Sequence, residues 1–181
     1  MNISKLIEFI HADKFRYGYT NFFKCFILVP GFRFTVYLRI TKYLELNNKT
    51  LYFFAKIYVR QMSYKYGIDI YGSTTIGKGF YIGHFGGIVV NGGVIFGDNV
   101  NISQGVTIGQ INDGRLKGNP VIGNNVWVGA NAVVVGGIKI GNNVSIAPCS
   151  FVNFDVPDYS LVMGSPGVIV KENYKKPIYD L

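Results

Sequence analysis

The sequence predicts a mainly β fold, a solenoid of short parallel strands, with an α-helical segment ahead of it. Three observations carry this reading. Aliphatic residues recur every six positions from about Ile70 to Pro157, glycine and asparagine punctuate that repeat, and residues 1–66 lack it and show helical apolar spacing instead.

The repeat has two runs. Ile70, Ile76, Ile82, Ile88, Val94, Val100 and Val106 form the first, and Ile122, Val128, Val134, Ile140, Ile146 and Val152 the second. Neither the 3.6-residue period of a helix nor the two-residue alternation of a strand produces steps of six. The position four after each aliphatic is mostly small or apolar in the second run (Val126, Ala132, Ile138, Val144, Ser150, Val156), and glycine often follows directly, as at Gly77, Gly123, Gly129 and Gly141. Each hexad therefore reads as one short flat strand plus a corner, with one residue inward and glycine or asparagine in the corner dihedrals. Three hexads, about eighteen residues, close a triangular coil that buries its aliphatics only against the coils above and below. On this count residue 87 stacks beneath Asp69, and the thirteen hexads make a little over four coils. A sandwich or barrel with chance spacing does not account for so many phased positions.

Between Val106 and Ile122 the chain holds ten residues more than one step needs. They are polar and turn-forming, so residues 109–120 are expected to leave the prism as an external loop, a natural wall for a substrate cleft.

The length suits one globular unit with an appendage. Cys25 and Cys149 lie far apart and match no disulfide framework or zinc spacing, which fits a reducing, cytoplasmic compartment. The net charge of +8 is uneven: residues 1–66 carry eleven basic and three acidic side chains, and the rest of the chain is balanced. That segment is also rich in aromatics. Ile3, Leu6, Ile7 and Ile10 have helical spacing, Pro30-Gly31 must break any helix containing Phe22–Val29, and two to four helices are expected. Its longest apolar run is too short to span a membrane, and the opening Met-Asn-Ile-Ser-Lys lacks the pattern of a cleavable signal. Three readings of this composition stand open: a helical cap on the solenoid, a cap that also makes peripheral contact with an anionic membrane, and a nucleic-acid surface. No nucleic-acid motif accompanies the charge. The expected organisation is a helical segment over 1–66, a solenoid domain over 67–171, and a polar tail over 172–181.

The chain has two histidines. His11 lies in the helical segment and reads as a surface or packing residue. His84 sits among glycines in Ile82-Gly83-His84-Phe85-Gly86-Gly87, where a ligand can approach. A near-neutral imidazole is suited to deprotonate a hydroxyl or amine nucleophile, and Asp69 is the candidate to hold its other nitrogen; the coil geometry permits that contact without requiring it.

Ile68-Asp69-Ile70-Tyr71, Ile76-Gly77-Lys78-Gly79, His84-Phe85-Gly86-Gly87-Ile88-Val89-Val90, Asn101 to Gly109, and Met163 to Val170 together resemble the left-handed β-helix acyltransferases of the serine acetyltransferase type, over about residues 67–171. The resemblance implies a left-handed parallel β-helix and a homotrimer with acetyl-CoA, the acyl donor, in the groove between neighbouring prisms. It implies no metal. His84 matches the family's catalytic base and Asp69 its carboxylate partner. Gly109, Gly129, Ala130, Ala147, Pro166 within the Gly164–Gly167 loop, and Lys171 match stretches that meet the cofactor. Tyr71, Phe85 and Asn119 fall on the acceptor side.

Departures from the family pattern set the expected acceptor. Tyr71-Gly72 replace a histidine and proline, Gly83 replaces an acidic residue, and Gly118-Asn119 replace an arginine–histidine pair that grips the amino acid carboxylate. A desolvated zwitterion needs charged partners, whereas a sugar hydroxyl needs only hydrogen bonds. The expectation is therefore O-acetylation of a sugar in a surface polysaccharide or its precursor, as in the similar capsule and exopolysaccharide O-acetyltransferases, in the cytoplasm or at the inner face of its membrane. Serine acetylation for cysteine biosynthesis stands second, with sugar N-acetylation and a non-catalytic scaffold behind. A zinc hydratase needs several converging histidines, which this chain does not have.

Overall fold

The computed structural model of the chain describes residues 2–174, so most of the expected 172–181 tail lies outside the described residues. Among them four helices precede a β-solenoid of about five coils. Asparagine side chains start three of the helices. Asn2 accepts the Lys5 N–H ahead of α1 (Ile3–Phe15), Asn21 the Lys24 N–H ahead of α2 (Phe22–Leu28), and Asn48 the Leu51 N–H ahead of α4 (Lys49–Tyr66). Pro30 opens α3 (Pro30–Asn47) in the first turn, where its missing N–H costs nothing. The break expected there is a direct helix-to-helix junction at Val29, whose backbone is extended. Gly67 ends α4 in the left-handed region, φ 62, and hands the chain to the first strand.

The first coil is β1 (Ile68–Ile70), β2 (Thr75–Ile76) and β3 (Tyr81–Ile82), and the second is β4 (Ile88–Val90), β5 (Ile95–Phe96) and β6 (Asn101–Ile102). The third is β7 (Thr107–Gly109), β8 (Val121–Ile122) and β9 (Trp127–Val128), and the fourth is β10 (Val133–Val135), β11 (Lys139–Ile140) and β12 (Ser145–Ile146). Then come β13 (Phe151–Val152), β14 (Leu161–Met163) and β15 (Val168–Lys171), the last antiparallel to β14. The parallel strands stack into three faces, ordered β1-β4-β7-β10-β13, β2-β5-β8-β11 and β3-β6-β9-β12-β14.

The registers correct the six-residue count. Ile70 stacks on Val90, Ile76 on Phe96 and Ile82 on Ile102, twenty positions on, whereas Val134 stacks on Val152 after eighteen. Each strand presents two inward columns. Ile68 and Ile70 are both buried, as are Ile88 and Val90. The corner holding His84 carries two extra residues, so the step from Ile82 to Ile88 moves from one column to the other. Asp69 consequently stacks on Val89, not on residue 87. The same slip absorbs two of the ten surplus residues before Ile122, because Ile108 stacks on Val134 twenty-six positions on, an excess of eight.

Those eight leave the prism between Ile111 and Gly118. They form a small hairpin closed by paired hydrogen bonds between Ile111 and Gly118, 3.0 and 2.9 Å. Its base is held by the Gly137 N–H donating to the Leu116 carbonyl at 2.8 Å. A second edge of the prism is an amide ladder. The Asn99, Asn125 and Asn143 side chains hydrogen-bond in succession at 3.1 and 3.2 Å, all three residues at positive φ, a conformation asparagine tolerates.

The helices cap the first coil. Asp13, fully buried, pairs with Arg39 at 3.0 Å and accepts the Phe80 N–H at 2.8 Å, while Arg39 also donates to the Ile76 carbonyl at 2.6 Å. Burial raises the Asp13 pKa, against the pull of Arg39. One ion pair thus ties α1 and α3 to the strand ends. No helix among the described residues is long and apolar enough to cross a membrane. Phe23, Phe53 and Phe54 nonetheless stand exposed on α2 and α4, the kind of surface that peripheral membrane contact needs.

Removing one partner strands the other charge in the interior. Asp13→Ala is expected to lower the unfolding free energy by about 3–5 kcal/mol, read by chemical denaturation; a change below about 1 kcal/mol would show the pair to be dispensable.

Candidate active site

His84 lies in the enlarged corner between β3 and β4. The backbone on its C-terminal side is pinned: the Ile88 N–H donates to the Gly67 carbonyl at 3.0 Å, and the Gly105 N–H donates to the Gly86 carbonyl at 2.9 Å. Phe85, itself exposed, meets the Tyr66 ring at 5.9 Å. The His84 side chain is exposed, and among the described residues it has no hydrogen-bond partner.

Asp69 lies on the outward side of β1, half-buried, and its carboxylate Oδ1 accepts from Arg60 Nη1 of α4 at 2.9 Å. Arg60 Nε also donates to the Tyr64 hydroxyl at 3.0 Å. The Tyr64 hydroxyl, and after it the Asp69 carboxylate, hold the Arg60 pKa above its ordinary value. The partner expected for Asp69 was His84; the structure shows Asp69 on Arg60, with Oδ2 accepting from none of the described residues. Sequence reasoning missed Arg60. It is one of eleven basic residues in the helical segment, and nothing local sets it apart.

Above the His84 corner, corners stack along the same edge of the prism. The Asn131 N–H donates to the Gln104 carbonyl at 3.0 Å, the Cys149 N–H to the Ala130 carbonyl at 2.9 Å, and the Gly167 N–H to the Phe151 carbonyl at 2.8 Å. His84, Gly129, Ala130, Ala147 and Pro166 therefore share one edge, about 19 Å long at the 4.8 Å spacing of stacked strands. Tyr71, Gly109 and Asn119 mark the next edge, across the face that carries Asp69, and Lys171 is exposed on β15.

The bare residues along this face differ in what they do. Gly129 is buried and a Cβ there would lie 2.6 Å from the Pro148 nitrogen, so its lack of a side chain serves the next coil. Gly109 is different. A Cβ would meet only Val135 at 3.8 Å, an ordinary contact, so the fold does not demand glycine there and the space lies open to a ligand.

A cleft of about 420 Å³ opens between α4 and the corner after β1, with Lys56, Arg60, Asp69, Tyr71 and Ser73 in its walls. It joins Asp69 and Tyr71, which the sequence singled out, to two cations that it did not.

Residues 119–153 match the family model described as bacterial transferase hexapeptide (six repeats). The chain is 42% identical over 129 residues to serine acetyltransferase of Staphylococcus aureus strain Mu50, which covers 71% of this chain and 61% of that protein. It thus spans about three-fifths of the length of the curated relatives it matches. Among solved structures it resembles serine acetyltransferase of Neisseria gonorrhoeae in complex with serine, with TM-score 0.78, 32% identity, and coverage of 93% of this chain and 70% of that one. It also resembles the Brucella abortus enzyme in complex with coenzyme A, with TM-score 0.82, 27% identity, and coverage of 94% and 69%.

These likenesses overturn the expected sugar acceptor. The relatives are serine acetyltransferases, the reading placed second from sequence, and the likeness to capsule and exopolysaccharide enzymes finds no support among them. The expectation rested on missing charges at Gly83, Gly118 and Asn119 and took no account of Lys56 and Arg60, which line the cleft with Asp69. By its repeat, its fold and this extent of identity, the chain belongs to the hexapeptide-repeat acyltransferases of the serine acetyltransferase type.

Proposed function

We propose that the chain transfers an acetyl group from acetyl-CoA to the hydroxyl of serine. What supports the reading most is the extent of the likeness to the serine-bound Neisseria gonorrhoeae enzyme, 93% of this chain at 32% identity. The exposed imidazole of His84 adds to it, standing at the foot of an edge of small residues.

Acetyl-CoA supplies an activated thioester. His84 takes the proton of the serine hydroxyl as that oxygen attacks the thioester carbonyl, holds it as imidazolium, and returns it to the departing sulfur, so no net proton is lost. Asp69, through its free Oδ2, orients the ring and stabilises the charged form. Backbone N–H groups of the face carry the oxyanion. The trimer implied by the family would set this edge against a neighbouring prism and close the groove from both sides.

Turnover of acetyl-CoA with L-serine, by an assembly whose scattering mass equals three chains, is the expected result. His84→Ala should lower kcat by about 10²–10⁴-fold. Absence of serine turnover in the wild-type protein would sink this reading. Because the space at Gly109 is open, Gly109→Phe is expected to keep its melting temperature while the KM for acetyl-CoA rises about tenfold or more; an unchanged KM would remove Gly109 from the donor groove.

A further inference from the structure

We infer that the cleft between α4 and the first solenoid corner binds the carboxylate of the acceptor amino acid through Arg60 and Lys56. This rests on the serine reading above and names the specificity residues of that site.

Serine enters as a zwitterion, and its carboxylate loses water as the hydroxyl approaches His84. Such a group is held only where a cation replaces its hydration. Positions 83, 118 and 119 bring Gly83, Gly118 and Asn119, none of them charged. The cleft of about 420 Å³ brings two cations, Lys56 and Arg60, one turn apart on α4, with Tyr52, Tyr71 and Ser73 supplying hydroxyls.

Arg60 is fixed before any ligand arrives. Nε is spent on Tyr64 and one Nη1 hydrogen on Asp69, which leaves three of its five N–H donors for an incoming carboxylate. Lys56 pairs with no acid among the described residues. Strand β1 joins the cleft to the His84 corner: Asp69 and Ile70 line the cleft, and Gly67 at the other end of the strand accepts the Ile88 N–H, where an added Cβ would lie 3.2 Å from the Gly86 Cα. A carboxylate on Arg60 would thus lie beside Asp69, with only the three residues of β1, about 10 Å, between the two corners.

The loop offers a rival, since Arg115 and Lys117 are exposed near the tip of the hairpin. The experiment compares L-serine with serinol, which keeps the amine and hydroxyl but replaces the carboxylate by a hydroxymethyl group. It uses the full-length protein and its Arg60→Met, Lys56→Met, Arg115→Met and Lys117→Met variants. The ratio of kcat/KM for serine to that for serinol should fall about tenfold or more in Arg60→Met and measurably in Lys56→Met, through the KM for serine. A fall in kcat for both acceptors at a constant ratio would make Arg60 a support for Asp69 only, and would overturn the inference. So would a fallen ratio in the loop variants with none in the α4 variants. Lys56→Met, which touches no proposed catalytic group, decides the matter if Arg60→Met does not fold. Wild-type protein that fails to acetylate serine defeats the proposed function itself, whereas serine turnover with a ratio unmoved by both α4 substitutions defeats this inference alone.

Discussion

Two inward side chains per strand, stacked in register from coil to coil, hold every other feature of this molecule in place. Ile68 and Ile70 lie on Ile88 and Val90, Val90 on Ile108, Ile108 on Val134 and Val134 on Val152, all nearly or wholly inaccessible to water. Each buried Val or Ile is worth roughly 1.5–3 kcal/mol, and the ladder repeats that gain with little variation along the prism. A core built this way tolerates change only where a strand has ended. Corners can be enlarged or thrown out as loops, while the flat rungs cannot.

The chemistry sits where coil length departs from eighteen residues. Two extra residues push His84 out of the first corner of its edge, and eight extra residues raise the hairpin on the neighbouring edge. Between them lies the face carrying Asp69. The helical segment adds what the prism cannot make for itself, a cationic wall standing over that face. The buried Asp13–Arg39 pair fixes α1 and α3 on the first coil, and α4, packed on α3, brings Arg60 to Asp69.

The repeat could be read from sequence because most inward positions are aliphatic, and six-residue steps follow from three flat sides. Its phase could not. From Ile88 to Ile108 both inward columns carry Ile, Val or Phe, so a count that changed columns at Ile88 met no polar residue to betray the slip, and Asp69 was set against the wrong neighbour. His84 was visible as a lone imidazole among glycines. Arg60 was not, because its place depends on a helix meeting a strand in space rather than on spacing along the chain. The substrate inference likewise looked for charge only near the motifs and not on α4, which places Lys56 and Arg60 beside Asp69.

The far end of the solenoid turns back on itself. β15 runs antiparallel to β14, while every other described strand pairing is parallel. A parallel stack whose last rung were bare would offer its unpaired N–H and C=O groups as a template for the first rung of another molecule. Here the reversed strand covers that rung on one face and helices roof the opposite end. Among the described residues, fewer bare rungs are thus left at either end on which a second molecule could continue the stack.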